Sequence, residues 1–494
     1  MNTRQHHPRV RGFLQLAAAA ACLLLASCGG GGGGTSTTSS STNPAASNPP
    51  IVSLSFAPPS VAAGQATTLS WSATDATSCT ASGAWTGDQS TSGSVIITTI
   101  AGSYTYSLTC TGAGGTASGS ATLSVTDLSG NVTPVVVDSG PPGVGRLINV
   151  PFVSVTLCTP GTSACQTIDH VLLDTGSYGL RIISGVLDAS LALPAVTGPG
   201  GNPVGECAPF VSFSVWGPVR RAKVQIAGET AASVPVQVVA DAAITGAPPG
   251  CSGTVGTVAA LGAKGILGVG VLNRDCGPGC TTQPANGYYY ECTASNCTGS
   301  TMALTDQVSN PVAAFATDNN GVALAMPAVS QNGATTLTGT LIFGIDTQYN
   351  NQVGSSATVY ATNKTGNFTT TYNSTSGIPS FLDSGSNGLF FSDSTIPLCS
   401  ASNGYSGFYC PSAPLAITAT NTSPSGASGT VSVTIVNPQA LASTVSAAPI
   451  GGSTGSAYHS SYFDWGLPFF FGRTVFVAID GASTAHGAGP YWAY

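Results

Sequence analysis

Charged residues are scarce in this chain. Lys, Arg, Asp and Glu together make up 6% of its 494 residues, 12 basic against 19 acidic. With so few cations and no basic stripe, a nucleic-acid partner is excluded. Histidine is also scarce. His170, His459 and His486 are the only ones beyond the N-terminal leader, and none stands at metal-ligand spacing. No G-x-S-x-G elbow, P-loop or dinucleotide fingerprint occurs, so those hydrolase and nucleotide chemistries have no carrier and no cofactor or metal is expected. Helical periodicity of 3.6 residues is rare; a short helix near Thr305 to Phe315 is one exception. Low charge does not mean disorder here, because 42% of the residues are hydrophobic. β-Branched residues alternate with small polar ones between turns rich in the 63 glycines, which predicts an all-β protein.

Long apolar runs are missing after the first 28 residues. Phe13 to Ala26 is apolar but too short to span a bilayer as a helix. It follows Arg4, Arg9 and Arg11 and ends in Leu25-Ala26-Ser27-Cys28. This resembles a bacterial lipoprotein signal over residues 1–27, with Cys28 as the lipid-bearing first residue of the mature chain. The resemblance implies a protein held on the bacterial cell envelope by acyl chains, the membrane being one partner; a monomer is expected. Gly29 after the lipid Cys favours the outer membrane. Without the leader, nine basic residues face 19 acidic ones. Residues 28–50, six glycines and then Ser, Thr and Pro, form a tether with a coil reach of about 26 Å.

Cysteine is plentiful. Of 14, Cys22 leaves with the leader and Cys28 carries lipid, which leaves an even twelve. Outside the cytoplasm that count predicts disulfides. Cys79–Cys110, Cys158–Cys165, Cys207–Cys251 and Cys399–Cys410 are the expected pairs. Cys276, Cys280, Cys292 and Cys297 can pair three ways or could hold zinc. Residues 51–127, with alternating strands, Trp71 and the Cys79/Cys110 pair, resemble an immunoglobulin-like β-sandwich stapled between its sheets. Residues 128–142 are expected to be a linker.

Two short runs carry the chemistry. Val171-Leu-Leu-Asp174-Thr175-Gly176-Ser177 and Phe381-Leu-Asp383-Ser384-Gly385-Ser386 nearly repeat each other, 209 residues apart. Each is an apolar strand delivering one Asp onto a tight turn. The glycine permits a sharp bend and close approach. Ser177 and Ser386 can orient the carboxylate beside them, and Thr175 and Ser384 can donate across to the other copy.

At this point the chain resembles the pepsin-like aspartic peptidases. Lys264-Gly-Ile-Leu-Gly268 is similar to the apolar-apolar-Gly segment behind the first catalytic turn. Thr340 to Asp346 is similar to the strand opening the second lobe, and Gly466 to Phe476 to the second apolar-Gly segment and its closing strand. DTGSYG, DSGSNG and WGLPFFFGR also resemble an uncharacterised family of bacterial surface proteins. The resemblance implies a bilobal pepsin-like β domain, with residues 143–335 and 336–494 as the lobes. It implies Asp174 and Asp383 as a catalytic pair acting on a peptide or protein substrate. It implies a flap hairpin over Pro209 to Gly228, with Trp216 where the family has Tyr and Arg220 and Arg221 near its tip. The alternative is a catalytically silent module of the same fold that binds peptide or glycan.

Overall fold

The computed structural model describes residues 47–62, 66–98, 102–126, 130–244, 246–294, 296–400, 404–454 and 462–494. The leader, Cys28 and nearly all of the tether lie outside the described residues. Helix accounts for 5% of the chain and strand for 49%, so the protein is all-β.

Residues 51–126 form two sheets. Strands Ile51–Ala57, Ala66–Thr74 and Ser92–Thr98 make one. Ser60–Ala62, Gly115–Thr126, Gly102–Gly112, Ser78–Gly83 and Gly87–Gln89 make the other. Leu69 and Trp71 from the first sheet share a core with Cys79, Tyr106, Leu108 and Leu123 from the second. The Cys79–Cys110 bond forms, but not between the sheets as expected. The two residues are direct cross-strand partners in one sheet, Cα atoms 4.0 Å apart. Both face the core, where Trp71, its ring N–H bonded to the Ser90 carbonyl, fills the space instead.

The main body contains a three-strand arrangement that occurs twice. In the first copy, β1 (Cys165–Asp174) ends on the first Asp, and β2 (Tyr178–Ile183) leaves the turn. β3 (Val204–Pro209) and β4 (Ser214–Ile226) form a hairpin, and β5 (Gly265–Val269) inserts between β1 and β2. β5 runs parallel to β1, with Asp174 opposite Gly268, and antiparallel to β2. In the second copy, β6 (Thr375–Asp383) ends on the second Asp, β7 (Leu389–Phe390) leaves the turn, and β8 (Phe463–Gly466) inserts between them. Again the inserted strand is parallel to one neighbour and antiparallel to the other, with Asp383 opposite Gly466. A Cβ at Gly268 would lie 2.5 Å from the Tyr178 nitrogen, and one at Gly466 2.0 Å from the Gly388 carbonyl oxygen. Only glycine lets each turn fold back this closely.

Residues 128–142 are not merely a linker. Strand Val132–Val137 lies between Pro151–Cys158 and Leu337–Phe343, with Val135 and Val137 fully buried. Val135 and Val137, two residues apart on one face, were the sequence signal, obscured by Pro134, whose missing N–H the strand tolerates. Strand Gly321–Met326 pairs with both Leu337–Phe343 and Arg473–Ala478. The boundary drawn at residue 335 therefore runs through one continuous sheet. The helix near Thr305 to Phe315 reduces to a single 3-10 turn, Pro311–Ala314, capped by the Asn310 side chain.

Candidate active site

Both Asp residues stand at strand ends and are brought together. The Asp174 carboxyl accepts from the Gly176 N–H at 2.8 Å and from the Ser177 hydroxyl at 2.5 Å. The Asp383 carboxyl accepts from the Gly385 N–H at 2.8 Å, the Ser386 N–H at 3.2 Å and the Ser386 hydroxyl at 2.9 Å. Each turn thus supplies its own carboxyl with a backbone donor and a hydroxyl.

The turns also interlock. Thr175 Oγ1 donates to the Leu382 carbonyl at 2.9 Å and accepts from the Ser384 N–H at 2.9 Å. Ser384 Oγ donates to the Leu173 carbonyl at 2.8 Å and accepts from the Thr175 N–H at 3.1 Å. All four bonds are buried, so each backbone group at the seam depends on the opposite turn. This brings each glycine against the other carboxyl. A Cβ on Gly176 would lie 2.6 Å from Asp383 Cγ, and one on Gly385 2.8 Å from Asp174 Cγ.

The two carboxyls thus face each other across the seam, and a Cβ on Gly385 would lie 2.8 Å from Asp174 Oδ1 and 3.1 Å from Asp383 Oδ1. Burial pushes Asp383 well above the ordinary carboxylate range, and the neighbouring charges of Asp174 and then Asp464 push it further. Burial raises the Tyr178 hydroxyl strongly, with smaller contributions from Asp174 and Asp383.

The pair opens into a cavity of about 410 Å³. Tyr178, Phe210, Val211, Phe381 and Trp492 give it apolar walls, and Thr365 and Asn367 add polar ones. The flap expectation needs correcting here. Pro209 to Gly228 is not a hairpin, because most of it is the single long strand β4. The hairpin tip lies earlier, between β3 and β4, where Phe210 and Phe213 stack at 4.8 Å. Trp216 faces away from the cavity. It is buried against Tyr290, 5.7 Å between rings, beside the Cys207–Cys251 disulfide. Arg220 and Arg221 sit within β4 and pair with Asp241 and Asp306, so they are structural rather than at a tip.

Two groups of residues near the pair were not foreseen. Arg181, on β2, is buried and bonds the Tyr178 carbonyl at 2.6 Å, Glu206 at 2.6 Å and Asp275 at 3.3 Å. It also lies 5.7 Å from the centre of the Phe210 ring at the hairpin tip. Tyr289 donates to Asp275 at 2.8 Å. Burial pushes Asp275 well up, as does the charge of Glu206, and Arg181 opposes both. The visible signal was one Arg inside the apolar strand Tyr178-Gly-Leu-Arg-Ile-Ile183. The second is Asp464 on β8, completely buried. Its signal was an acid in Phe463-Asp-Trp-Gly466, where the first copy reads Gly265-Ile-Leu-Gly268.

All four expected disulfides form. The remaining four cysteines pair locally as Cys276–Cys280 and Cys292–Cys297, which removes the zinc alternative because their thiolates are consumed.

The fold and site define an all-β protein in which two like turns press two acids together. Over residues 127–494 the chain matches the family described as protein of unknown function (DUF3443), and it belongs to that family. The match covers both Asp turns and leaves out the N-terminal two-sheet module. No curated protein matches the sequence.

Proposed function

We propose that residues 127–494 are a pepsin-like aspartic peptidase that hydrolyses peptide bonds with a water activated between Asp174 and Asp383. The observation that carries this reading is the mutual placement of the two turns, each glycine resting on the opposite carboxyl. Two adjacent buried acids cannot both ionise easily, so the pair shares one proton; pepsin is a standard example of this behaviour. The ionised carboxyl takes a proton from water while the protonated one donates to the scissile carbonyl. The water oxygen bonds to the carbon, giving a tetrahedral intermediate. Collapse breaks the C–N bond, with the proton passing to the leaving nitrogen, and leaves a free acid and an amine. The dyad titrates as a unit, so neither Asp is assigned a separate role. Thr175, Gly176, Ser177, Ser384, Gly385 and Ser386 hold the pair in place, and the Phe210–Val211 tip serves as the flap.

In this reading residues 51–126 are an immunoglobulin-like spacer. Cys28 carries the lipid that tethers the protein to the cell envelope, at the outer membrane. The substrate is a peptide or protein. Degradation of an unfolded protein between about pH 3 and pH 6 tests the proposal. Wild type should degrade it, and Asp174→Asn and Asp383→Asn, folded by circular dichroism, should not. Absence of cleavage by wild type across the range, with no binding of a transition-state-analogue inhibitor, favours a silent binding module.

A further inference from the structure

Asp464 lies opposite Phe381 on β6 and Phe390 on β7, neither of which titrates. It is completely buried, and neither carboxyl oxygen has a hydrogen-bond partner. The nearby Ser386 hydroxyl favours its ionised form and the charge of Asp174 opposes it, both weaker than burial; Asp464 acts in turn on Asp383. The next strand beyond β7 contributes Gly451 and Gly452, again without a titratable group. No cation is among these neighbours.

Register makes the position informative. Asp464 occupies in the second copy the place of Ile266 in the first, each paired with the residue two before the Asp, Phe381 and Leu172 respectively. Ile266 is buried like its surroundings. The fold therefore accepts an apolar residue here, and an acid is not a packing requirement. Ser386 has one hydroxyl hydrogen, and that hydrogen goes to Asp383 Oδ2 at 2.9 Å. A carboxyl lying against the remaining lone pairs of Ser386 is favourable only if it is itself the donor.

We propose that Asp464 is the third carboxyl of the centre, a positioning residue. Protonated, it donates to Ser386 and aims the Ser386 hydroxyl at Asp383; its ionisation draws that hydroxyl away and ends the active arrangement. Burial, the largest influence on Asp464, raises it well above an ordinary carboxylate, in keeping with a retained proton. The inference rests on the peptidase reading for its catalytic consequence, but not for the protonation state.

Two measurements on the full-length protein test it. The first is infrared spectroscopy with labelled aspartate, which separates protonated from ionised carboxyls. A protonated band should persist at pH values where exposed aspartates are ionised, and part of it should vanish in both Asp464→Asn and Asp464→Ile. The second is the pH–rate profile. Asp464→Asn keeps a donor that cannot ionise. It should move the alkaline limb to higher pH and lose less kcat than Asp464→Ile. Asp464→Ile reproduces the first copy and should lose about tenfold in kcat, the loss of one directed hydrogen bond of about 1.4 kcal/mol, with KM unchanged. An Asp464 band that ionises with the exposed aspartates overturns the proposal, as does an alkaline limb unmoved in Asp464→Asn. If wild type hydrolyses nothing, the peptidase reading falls and the infrared band alone decides the state of Asp464.

Discussion

Thr175 and Ser384 exchange hydrogen bonds across the seam between the two Asp turns, each side chain accepting from the other residue's N–H. Each also donates to the carbonyl of the residue before the opposite Asp. Removing either hydroxyl leaves two buried backbone groups without partners. Thr175→Ala and Ser384→Ala should each lower stability by about 1–3 kcal/mol, read by urea unfolding. Either should also cut proteolytic kcat more than KM, because the carboxyls lose their mutual register. Unchanged unfolding midpoints would mean the seam is held by something else.

A methyl group at the turn glycines is a sharper perturbation. In Gly176→Ala the added carbon would lie 2.6 Å from Asp383 Cγ, well inside contact distance. The side chain it meets is the paired carboxyl itself, so the strain falls on the dyad. Activity against an unfolded protein should be abolished, while far-ultraviolet dichroism keeps its β signature. Gly385→Ala should behave alike through Asp174, 2.8 Å away.

Arg181 offers a test of the flap. Its guanidinium joins the residue after the first turn, through the Tyr178 carbonyl, to Glu206 on β3, the strand that leads to the Phe210 tip. Arg181→Met would strand Glu206 beside Asp275 with no cation. The expected cost is about 3–5 kcal/mol, with a rise in KM as the hairpin shifts. Phe210→Ala should raise KM without that loss of stability, because Phe210 is only partly buried at the cavity mouth.

Stability should fall as pH rises. Asp383, Asp464 and Asp275 all have folded pKa values above their unfolded ones, burial being the first cause of each. Such groups contribute stability fully below the unfolded value, near pH 4, and lose it as pH climbs through the raised folded values. Asp169, Asp393 and Glu291 are lowered and work in the opposite sense, but they lie near the surface, where solvent screens them. Denaturant midpoints measured from pH 4 upward should therefore decline, and Asp464→Asn should flatten the slope. A midpoint that rises over this range would contradict the assignment.

Much of this molecule was legible in the sequence because its signals are local or repeated. Alternation of β-branched and small polar residues set the all-β class, since a strand's pattern of burial has period two. The near-repeat around Asp174 and Asp383 marked the pair, because each turn makes its own carboxyl contacts within three residues. Four of the six disulfides were expected from the sequence, whereas the pairing among Cys276, Cys280, Cys292 and Cys297 was left open. Tertiary structure decided the rest. Whether Cys79–Cys110 joins two sheets or two neighbours depends on strand order, which alternation does not encode. The hairpin tip falls at Phe210 and not near Trp216, because β4 runs straight through the expected turn. Arg181 and Asp464 read in the chain as stray charges in apolar strands. Their meaning came only when folding set Arg181 between Glu206 and Asp275 and buried Asp464 in the sheet that carries Asp383, since a buried ionisable group takes its state from what surrounds it.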